Sequence, residues 1–200
     1  MQKIHDPKYF ENLKNHYSRL VIKYGDSYKS VDWGSENTQK IRFRTLLEAL
    51  DFQSARILDV GCGVGHLVDY LLENKFKGSY TGVDLVEEMV RQAANRYPEM
   101  NFIKIDSLDD LNRTDVELVI ASGLFTFANE SILQETIMKL FEISNNCLAF
   151  NSLSTWVGKP EPNEFYADPI STLEFCRSLT RKVVLRHEYL PHDFSIYLYK

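Results

Sequence analysis

The chain has few cysteines and lacks the residue clusters that bind metals. Only three cysteines occur among its 200 residues, and they are far apart in the sequence: Cys62, Cys147 and Cys176. An odd number of scattered thiols gives no disulfide framework. No CxxC, HxxxH or HExxH spacing occurs, so the sequence carries none of the common zinc motifs. We therefore expect reduced thiols in a cytoplasmic protein, and no bound metal.

Long apolar runs and an excess of positive charge are also missing. No run approaches the roughly 20 apolar residues that a membrane-spanning helix needs. The first ten residues, MQKIHDPKYF, contain no apolar segment of the kind found in signal peptides. The net charge of −5 argues against non-specific attraction to nucleic acid or anionic lipid, since both prefer basic surfaces. We therefore expect no membrane association, and nucleic acid is a disfavoured partner.

The distribution of apolar residues predicts one domain in which strands alternate with helices. Two hundred residues with a 44% hydrophobic share suit a single full core. Amphipathic helices are predicted over 6–24, starting at Asp6 before Pro7, and over 36–50, capped by Ser35. The predicted strands are 56–60, 79–84, 101–106, 116–121, 147–153, 181–189 and 194–200, and the intervening helices are 65–75, 86–97, 130–144 and 168–178. Such alternation implies a mostly parallel sheet with helices on both faces.

The stretch Ile57–His66, ILDVGCGVGH, is predicted to be a buried strand that runs into a glycine loop and then a helix. Glycines follow the strand at alternate positions: Gly61, Gly63 and Gly65. A dinucleotide-binding loop would need another glycine at His66, and a phosphate loop would need a Gly-Lys-Ser/Thr run. The loop has no lysine or arginine, and Asp59 precedes it. A ligand with an amino group and a sulfonium cation therefore suits this loop better than a phosphate.

This segment resembles motif I of the class I S-adenosylmethionine-dependent methyltransferases. In that family an acidic residue ending the second strand bonds the ribose hydroxyls, and Asp84 of TGVDLV occupies that place. The resemblance also implies that Leu85 packs on adenine, that Asp106 and Ser107 contact the adenine edge, and that Ala121 lines the cofactor. It implies an α/β, Rossmann-like seven-stranded sheet of order 3-2-1-4-5-7-6, with strand 7 antiparallel and an N-terminal helical cap.

Several further candidates follow from the resemblance. It assigns residues 1–50 to a helical segment covering the site and 56–200 to the core of one domain, 1–200. Within the N-terminal segment the candidate cofactor contacts are Tyr17, Trp33 and Arg42, since an aromatic ring near a sulfonium gains cation–π attraction. His66, beside the loop, and Tyr166, after strand five, are the candidate catalytic residues. The alternatives are ordinary packing for these side chains and a helix cap for Asp84.

The expected reaction is methyl transfer from S-adenosylmethionine, leaving S-adenosylhomocysteine, to oxygen or nitrogen of a small-molecule acceptor by in-line displacement. Alignment and exclusion of water do most of this work, so a base is needed only for a protonated nucleophile. Strand four ends in Ala121-Ser122-Gly123, without an Asx-Pro-Pro motif or an acidic metal ligand. Methylation of RNA or protein, and cofactor binding by a non-catalytic scaffold or regulatory protein, remain alternatives. The chain is expected to be a monomer or a homodimer.

Overall fold

The computed structural model describes residues 7–111 and 115–200 and shows one seven-stranded sheet flanked by helices. The strands are β1 Arg56–Val60, β2 Ser79–Asp84, β3 Asn101–Lys104, β4 Leu118–Ala121, β5 Cys147–Leu153, β6 Val183–Leu190 and β7 Asp193–Tyr199. The helices are α1 Pro7–Tyr24, α2 Glu36–Leu47, α3 His66–Glu73, α4 Glu87–Arg96, α5 Glu130–Ile143 and α6 Pro169–Leu179. Short 3-10 turns occupy Tyr28–Val31 and Leu108–Asp110. Asp6, the predicted start of the first helix, lies outside the described residues.

The order of the strands is β3-β2-β1-β4-β5-β7-β6, which confirms the predicted fold class. Strands β1 to β5 pair in parallel, whereas β7 runs antiparallel to both β5 and β6. The register places Asp59 of β1 beside Gly82 of β2 and Ile120 of β4. The carboxyl ends of these three central strands therefore meet at one edge, where ligands bind in open parallel sheets.

Strand β1 is buried on both faces because the sheet lies between two hydrophobic cores. Leu58 and Val60 belong to one core, and Ile57 belongs to the other. Alternate side chains of a strand point to opposite faces, so an uninterrupted apolar run is what this position requires. This burial fixes where β1 ends, and with it the position of the glycine loop.

Helix caps and turns explain where the elements begin and end. The predicted cap Ser35 accepts a hydrogen bond from the Thr38 amide at the start of α2. Strand β3 stops two residues before its predicted end, because the amides of Asp106 and Ser107 donate to the Asp110 carboxylate and start a 3-10 turn. Leu190 already pairs with Asp193 in the last hairpin. The turn is therefore shorter than the four residues, 190–193, that lie between the two predicted strands.

The N-terminal segment packs over the glycine loop and α4. Val21 of α1 forms a hydrophobic cluster with Val64, Val86 and Met89, and Tyr17 and Val31 pack against it. A second contact is made farther along the sheet edge, where the His16 and Tyr17 rings meet Phe127 after β4. Among the residues described, no helix is long and apolar enough to cross a bilayer.

Candidate functional site

A cavity opens at the carboxyl ends of β1, β2 and β4, and α1 forms its roof. The lining from the sheet edge and its loops comprises Asp59, Val60, Gly61, Cys62, Gly63, His66, Val83, Asp84, Leu85, Val86, Ile105, Leu108, Ser122, Gly123, Leu124 and Phe125. The N-terminal segment contributes Tyr9, Phe10, Leu13, Lys14, Tyr17, Val31, Trp33, Gln39 and Phe43. Most of this lining is apolar, and a few polar groups converge in it, as is typical of a cofactor or small-molecule site.

The glycine loop brings backbone, and not side chains, to the cavity wall. Gly61 and Gly63 have φ of 77° and 54°, which side-chain-bearing residues rarely adopt. A Cβ atom on Gly63 would lie 2.6 Å from Cγ1 of Val31, and one on Gly61 would lie 2.9 Å from Cδ1 of Leu124. Both glycines are therefore required by backbone conformation and by the closeness of the covering residues.

Asp84 ends β2 and joins the glycine loop to the start of α4. Its carboxylate accepts the amide of Gly63 at 2.9 Å and the amide of Val86 at 2.8 Å. Burial raises the pKa of this carboxyl, and the hydrogen bonds from Val86 and Gly63 oppose that rise. An ionised carboxylate accepts about four hydrogen bonds, so these two amides leave acceptor capacity for hydroxyl groups in the cavity.

Asp59 is a second buried carboxyl group on the same edge of the sheet. Its Oδ2 accepts a hydrogen bond from the Tyr80 hydroxyl at 2.8 Å. Burial, with a smaller contribution from the charge of Asp84, raises the pKa of Asp59 to about 7, against the hydrogen bond from Tyr80. A cation in the cavity would favour the ionised forms of both carboxyls.

Tyr17 and Ser122 place polar atoms without partners on opposite sides of the cavity. The Tyr17 hydroxyl makes no hydrogen bond within residues 7–111 and 115–200, and its pKa is raised first by burial and then by the charges of Asp32 and Asp84. The Ser122 hydroxyl is fully enclosed and has no partner among the described residues. Buried polar groups are nearly always hydrogen-bonded, so both atoms are suited to receive a ligand.

Trp33 covers the turn after β4 and contacts Arg42 behind it. The indole lies 2.8 Å from the position that a Cβ on Gly123 would occupy, and the Arg42 guanidinium is stacked 4.4 Å from the ring centroid. Arg42 is buried and donates from Nε to Oδ2 of Asp193 at 2.7 Å. Trp33 lines the cavity, whereas Arg42 does not.

Comparison with known proteins identifies the family to which this architecture belongs. The family model described as a methyltransferase domain matches residues 57–145. A Mycobacterium tuberculosis protein, provisionally assigned as a methyltransferase, is 32% identical over 157 residues, which are 72% of this chain and 92% of that protein. The chain belongs to the class I S-adenosylmethionine-dependent methyltransferases. S-adenosylmethionine is accordingly its cofactor.

Other relatives of this methyltransferase are longer proteins. The malonyl-[acyl-carrier protein] O-methyltransferase of Acetivibrio thermocellus is 34% identical over 149 residues, which are 70% of this chain and 48% of that enzyme. The trans-aconitate 2-methyltransferase of Rhodopseudomonas palustris is 30% identical over 102 residues, 48% of this chain and 40% of the enzyme. This chain thus spans about half the length of such relatives or less.

A solved structure gives the same fold at low sequence identity. The magnesium protoporphyrin IX methyltransferase of Synechocystis PCC 6803, crystallised with bound S-adenosylmethionine, covers 100% of this chain with a TM-score of 0.71 and 14% identity. All of that chain is covered as well. At this level of identity the similarity concerns the sheet and its connections, and not the choice of acceptor.

The structure brings only part of the predicted cofactor set of this methyltransferase to the cavity. Seven of the predicted cofactor residues line it: Asp59, Gly61, Gly63, Asp84, Leu85, Tyr17 and Trp33. Trp33 lies at the end near Gly123. Gly65 instead precedes α3 with φ of 84°, and a Cβ there would lie 3.0 Å from the Tyr97 ring. The conformation of Gly65 thus serves the packing of the loop.

The predicted contacts after β3 and β4 are displaced by one or two residues. Asp106 is exposed and pairs with Lys14 at 3.4 Å and with Lys104, while Ser107 caps the 3-10 turn. Ile105 and Leu108 line the cavity in their place. Ala121 is fully buried and does not line it, whereas its neighbour Ser122 does.

Both side chains predicted as catalytic already have protein partners. His66 Nε2 lies 2.6 Å from the carbonyl oxygen of Asp26 and must donate to it, and Nδ1 lies 3.1 Å from Nε2 of Gln39. Burial lowers the pKa of His66. Tyr166 donates to Glu164 and accepts from the Glu161 amide, and it does not line the cavity. His66 thus connects the N-terminal segment to α3.

Sequence reasoning missed the partners that act at long range. Asp193 is not among the predicted site residues, but it is 1% exposed and accepts from Arg42, Asn151 and Tyr189. No sequence spacing links α2 to β7. The only signal of the pairing between Arg42 and Asp193 is therefore the burial of the acidic residue, which the sequence does not show. In the part of the chain that the structure describes, no group of three metal-ligating side chains could hold a metal ion.

Proposed function

We propose that this methyltransferase holds S-adenosylmethionine in the cavity under α1 and transfers its methyl group to an oxygen or nitrogen of a small-molecule acceptor. The observation that carries the proposal is the Asp84 carboxylate, which the Gly63 and Val86 amides fix with acceptor capacity left over. In this arrangement Asp84 accepts from the ribose hydroxyls. Leu85, Ile105 and Leu108 supply an apolar surface for adenine.

The remaining polar groups fit the other parts of the cofactor. Asp59 lies beside the glycine loop, where its carboxylate attracts the amino group of the methionine moiety. The enclosed Ser122 hydroxyl and the Trp33 ring mark the end of the cavity at Gly123, which we assign to the methyl group. Tyr17 covers the ribose from α1, with its hydroxyl available to a ligand.

The chain's contribution to the reaction is alignment and exclusion of water. When bound, S-adenosylmethionine supplies a methyl group that is activated by attachment to a sulfonium sulfur. The glycine loop and Asp84 fix one end of the site, and Trp33 closes the other end over Gly123. Binding both reactants in line lowers the entropy cost of bringing them together during the reaction. Correctly positioned binding groups are therefore sufficient for this chemistry.

The hydrogen bonds of the lining groups, and the raised pKa of the Tyr17 phenol, favour an acceptor that needs no base. His66 is held on both ring nitrogens, Asp59 and Asp84 accept protein donors, and burial raises the pKa of the Tyr17 phenol. A carboxylate oxygen is already deprotonated at neutral pH. The names of two relatives, for malonyl-carrier-protein and trans-aconitate methylation, point to carboxylate acceptors in those enzymes. We therefore propose carboxylate O-methylation for this chain.

The first prediction concerns the cofactor site. S-adenosylhomocysteine should raise the melting temperature in a concentration-dependent way, because a ligand that binds only the folded chain stabilises it by mass action. Asp84→Asn should weaken binding at least about tenfold, since the amide group donates where the ribose hydroxyls donate. Isothermal titration calorimetry measures both. Asp51→Asn, an exposed acid in the loop between α2 and β1, serves as the matched control.

Two outcomes would contradict this assignment. Equal affinity of Asp84→Asn and the parent chain for S-adenosylhomocysteine would contradict the ribose contact. If neither S-adenosylmethionine nor S-adenosylhomocysteine raised the melting temperature, the proposed cofactor site would be wrong. Turnover is then tested by incubating a metabolite extract with S-adenosylmethionine and searching for compounds that gain one methyl group. Methylation of RNA or protein alone would refute the small-molecule proposal. Binding of the cofactor without methylation of any compound would indicate a non-catalytic protein.

A further inference from the structure

The Arg42 guanidinium is buried, but it gives only one of its five donor N–H groups to the described residues. Its side chain is 6% exposed, and Nε donates to Asp193 at 2.7 Å. Nη1 and Nη2 donate no hydrogen bond to any of the described residues. Neither nitrogen belongs to the fully enclosed atoms without a partner, so both reach solvent-accessible space. A buried cation with four free donors is a binding group.

The carboxylate of Asp193 pairs with Nε of Arg42 and has its remaining acceptor sites occupied by two other donors. One oxygen accepts from Arg42 Nε, both oxygens lie 3.0 Å from Nδ2 of Asn151, and Oδ1 accepts the Tyr189 hydroxyl at 2.5 Å. The pKa of His192, at the hairpin turn, is lowered first by burial and then by the charge of Arg42, while the charges of Asp193 and Glu164 oppose this. Asp193 therefore satisfies the Nε edge of the guanidinium, and the Nη edge has no acceptor among the described residues.

The guanidinium is also fixed in place on the acceptor side of the sheet edge. Trp33 stacks on its flat face, and the same indole covers Gly123 at the proposed methyl end. Asn151 connects the two positions from below, since its Oδ1 accepts the Gly123 amide at 3.0 Å and its Nδ2 donates to Asp193. Trp33 and Asn151 thus each contact one member of the Arg42–Asp193 pair and the turn at Gly123.

We infer that Nη1 and Nη2 of Arg42 form a subsite for a carboxylate group on the acceptor, distinct from the atom that receives the methyl group. The two Nη atoms match the two oxygens of a carboxylate in a paired arrangement that an ammonium group cannot reproduce. The acceptor class that fits is a small dicarboxylate, with one carboxylate on Arg42 and the other directed past Trp33 towards Gly123. The inference rests on the proposed function, because it takes Gly123 as the methyl end.

The test is a titration of simple carboxylates into the chain saturated with S-adenosylhomocysteine. The probes are acetate, malonate, succinate and glutarate at matched ionic strength, with melting temperature and calorimetry as readouts. At least one dicarboxylate should bind at least about tenfold more tightly than acetate, because only a dicarboxylate reaches both ends. If no member of the series binds, the subsite is refuted.

Three variants separate the subsite from a structural role of Arg42. Arg42→Lys keeps the ion pair with Asp193 but lacks the paired donors, so dicarboxylate affinity should fall by about tenfold or more. Arg42→Gln combined with Asp193→Asn leaves no unpaired buried charge and should abolish the preference for dicarboxylates. Arg44→Gln removes an exposed arginine of the same helix and should change nothing. Parent-like dicarboxylate binding in the double variant would overturn the inference.

The titration also distinguishes failure of this inference from failure of the proposed function. S-adenosylhomocysteine should bind the parent chain and Arg42→Lys equally, since Arg42 does not line the cofactor cavity. If S-adenosylhomocysteine does not bind at all, the proposed function fails, and the carboxylate titration of the free chain still decides the subsite. If S-adenosylhomocysteine binds and the carboxylates do not, only the subsite is wrong.

Discussion

Two buried carboxyl groups stand side by side at the site, and their protonation is set by what fills the cavity. Burial raises the pKa of both Asp59 and Asp84, and the charge of Asp84 adds to the rise at Asp59. In the folded chain Asp59 exchanges its proton near neutral pH, at about 7. A bound cation offsets the cost of burying the ionised carboxylate, so ligand binding and proton release are coupled at Asp59.

The stability of the ligand-free chain should depend on pH through Asp59. Its pKa rises from 3.8 in an exposed state to about 7 in the fold, so its favourable contribution is complete below pH 4 and is lost as pH rises through 7. Asp59→Asn keeps an acceptor for Tyr80 and cannot ionise. Relative to the parent chain, its melting temperature should increase between pH 4 and pH 8, by at least about 2–4 °C.

Thermal unfolding in a pH series measures this difference directly. Asp84 is present in both proteins, so its own titration cancels to first order in the comparison. Asp109→Asn, at an exposed position, is the control for replacing an acid by an amide. A difference for Asp59→Asn that is flat with pH would mean that this carboxyl has an ordinary pKa.

At the scale of elements, α1 holds its position through two separate contacts. One is the apolar cluster that Tyr17 and Val21 form with α4 and the glycine loop. The other is the edge-to-face contact of the His16 ring with Phe127, at 4.9 Å between centroids. The second contact ties the roof of the cavity to the loop after β4, which begins at the proposed methyl end. The roof and this loop should therefore open together.

Phe127→Ala should loosen α1 without unfolding the sheet. Loss of the aromatic contact is expected to cost about 1 kcal/mol, which raises the open population of the roof roughly fivefold. Amides of residues 7–24 should then exchange faster with deuterium, while those of β1 and β4 remain protected. Ile22→Ala, at an exposed position of the same helix, is the control. Unchanged exchange over 7–24 in Phe127→Ala would show that this contact does not hold the roof.

The elements and the site differ in how much of them the sequence predicts. Buried parallel strands are continuous apolar runs, so β1 and β4 are visible locally, and the glycines and Asp84 follow directly from the ends of such strands. The exact residue that faces the cavity after β4 depends on where the strand turns, which places Ser122 and not Ala121 in the cavity lining. The pair of Arg42 and Asp193 joins residues 151 positions apart, which no local pattern encodes.

At the scale of the whole molecule, the last strand in sequence lies inside the sheet and not at its edge. Strand β7 pairs with β5 along its full length and with β6 on the other side. Phe194, Ile196 and Leu198 are fully buried in the core that it shares with β5. The stability of the fold therefore depends on β7 more than on the outer strand β6.

Phe194→Ala should destabilise the chain by about 3–5 kcal/mol, because it removes a fully buried ring and leaves a cavity. Val184→Ala on β6, where the side chain is 39% exposed, should cost less than about 1 kcal/mol. Urea unfolding of both variants tests the contrast. Comparable losses would show that β7 is not the more important strand.

The place of Asp193 at the start of β7 also has a consequence for biosynthesis. The glycine loop, Asp84 and the roof all come from the first half of the chain, so they leave the ribosome well before β7 does. Arg42 gains its ionic partner, and Asn151 its acceptor, only when β7 slides between β5 and β6. In a nascent chain, the glycine loop, Asp84 and the roof can therefore assemble early. The pairing of Arg42 and Asn151 with Asp193 forms only after the final strand has emerged.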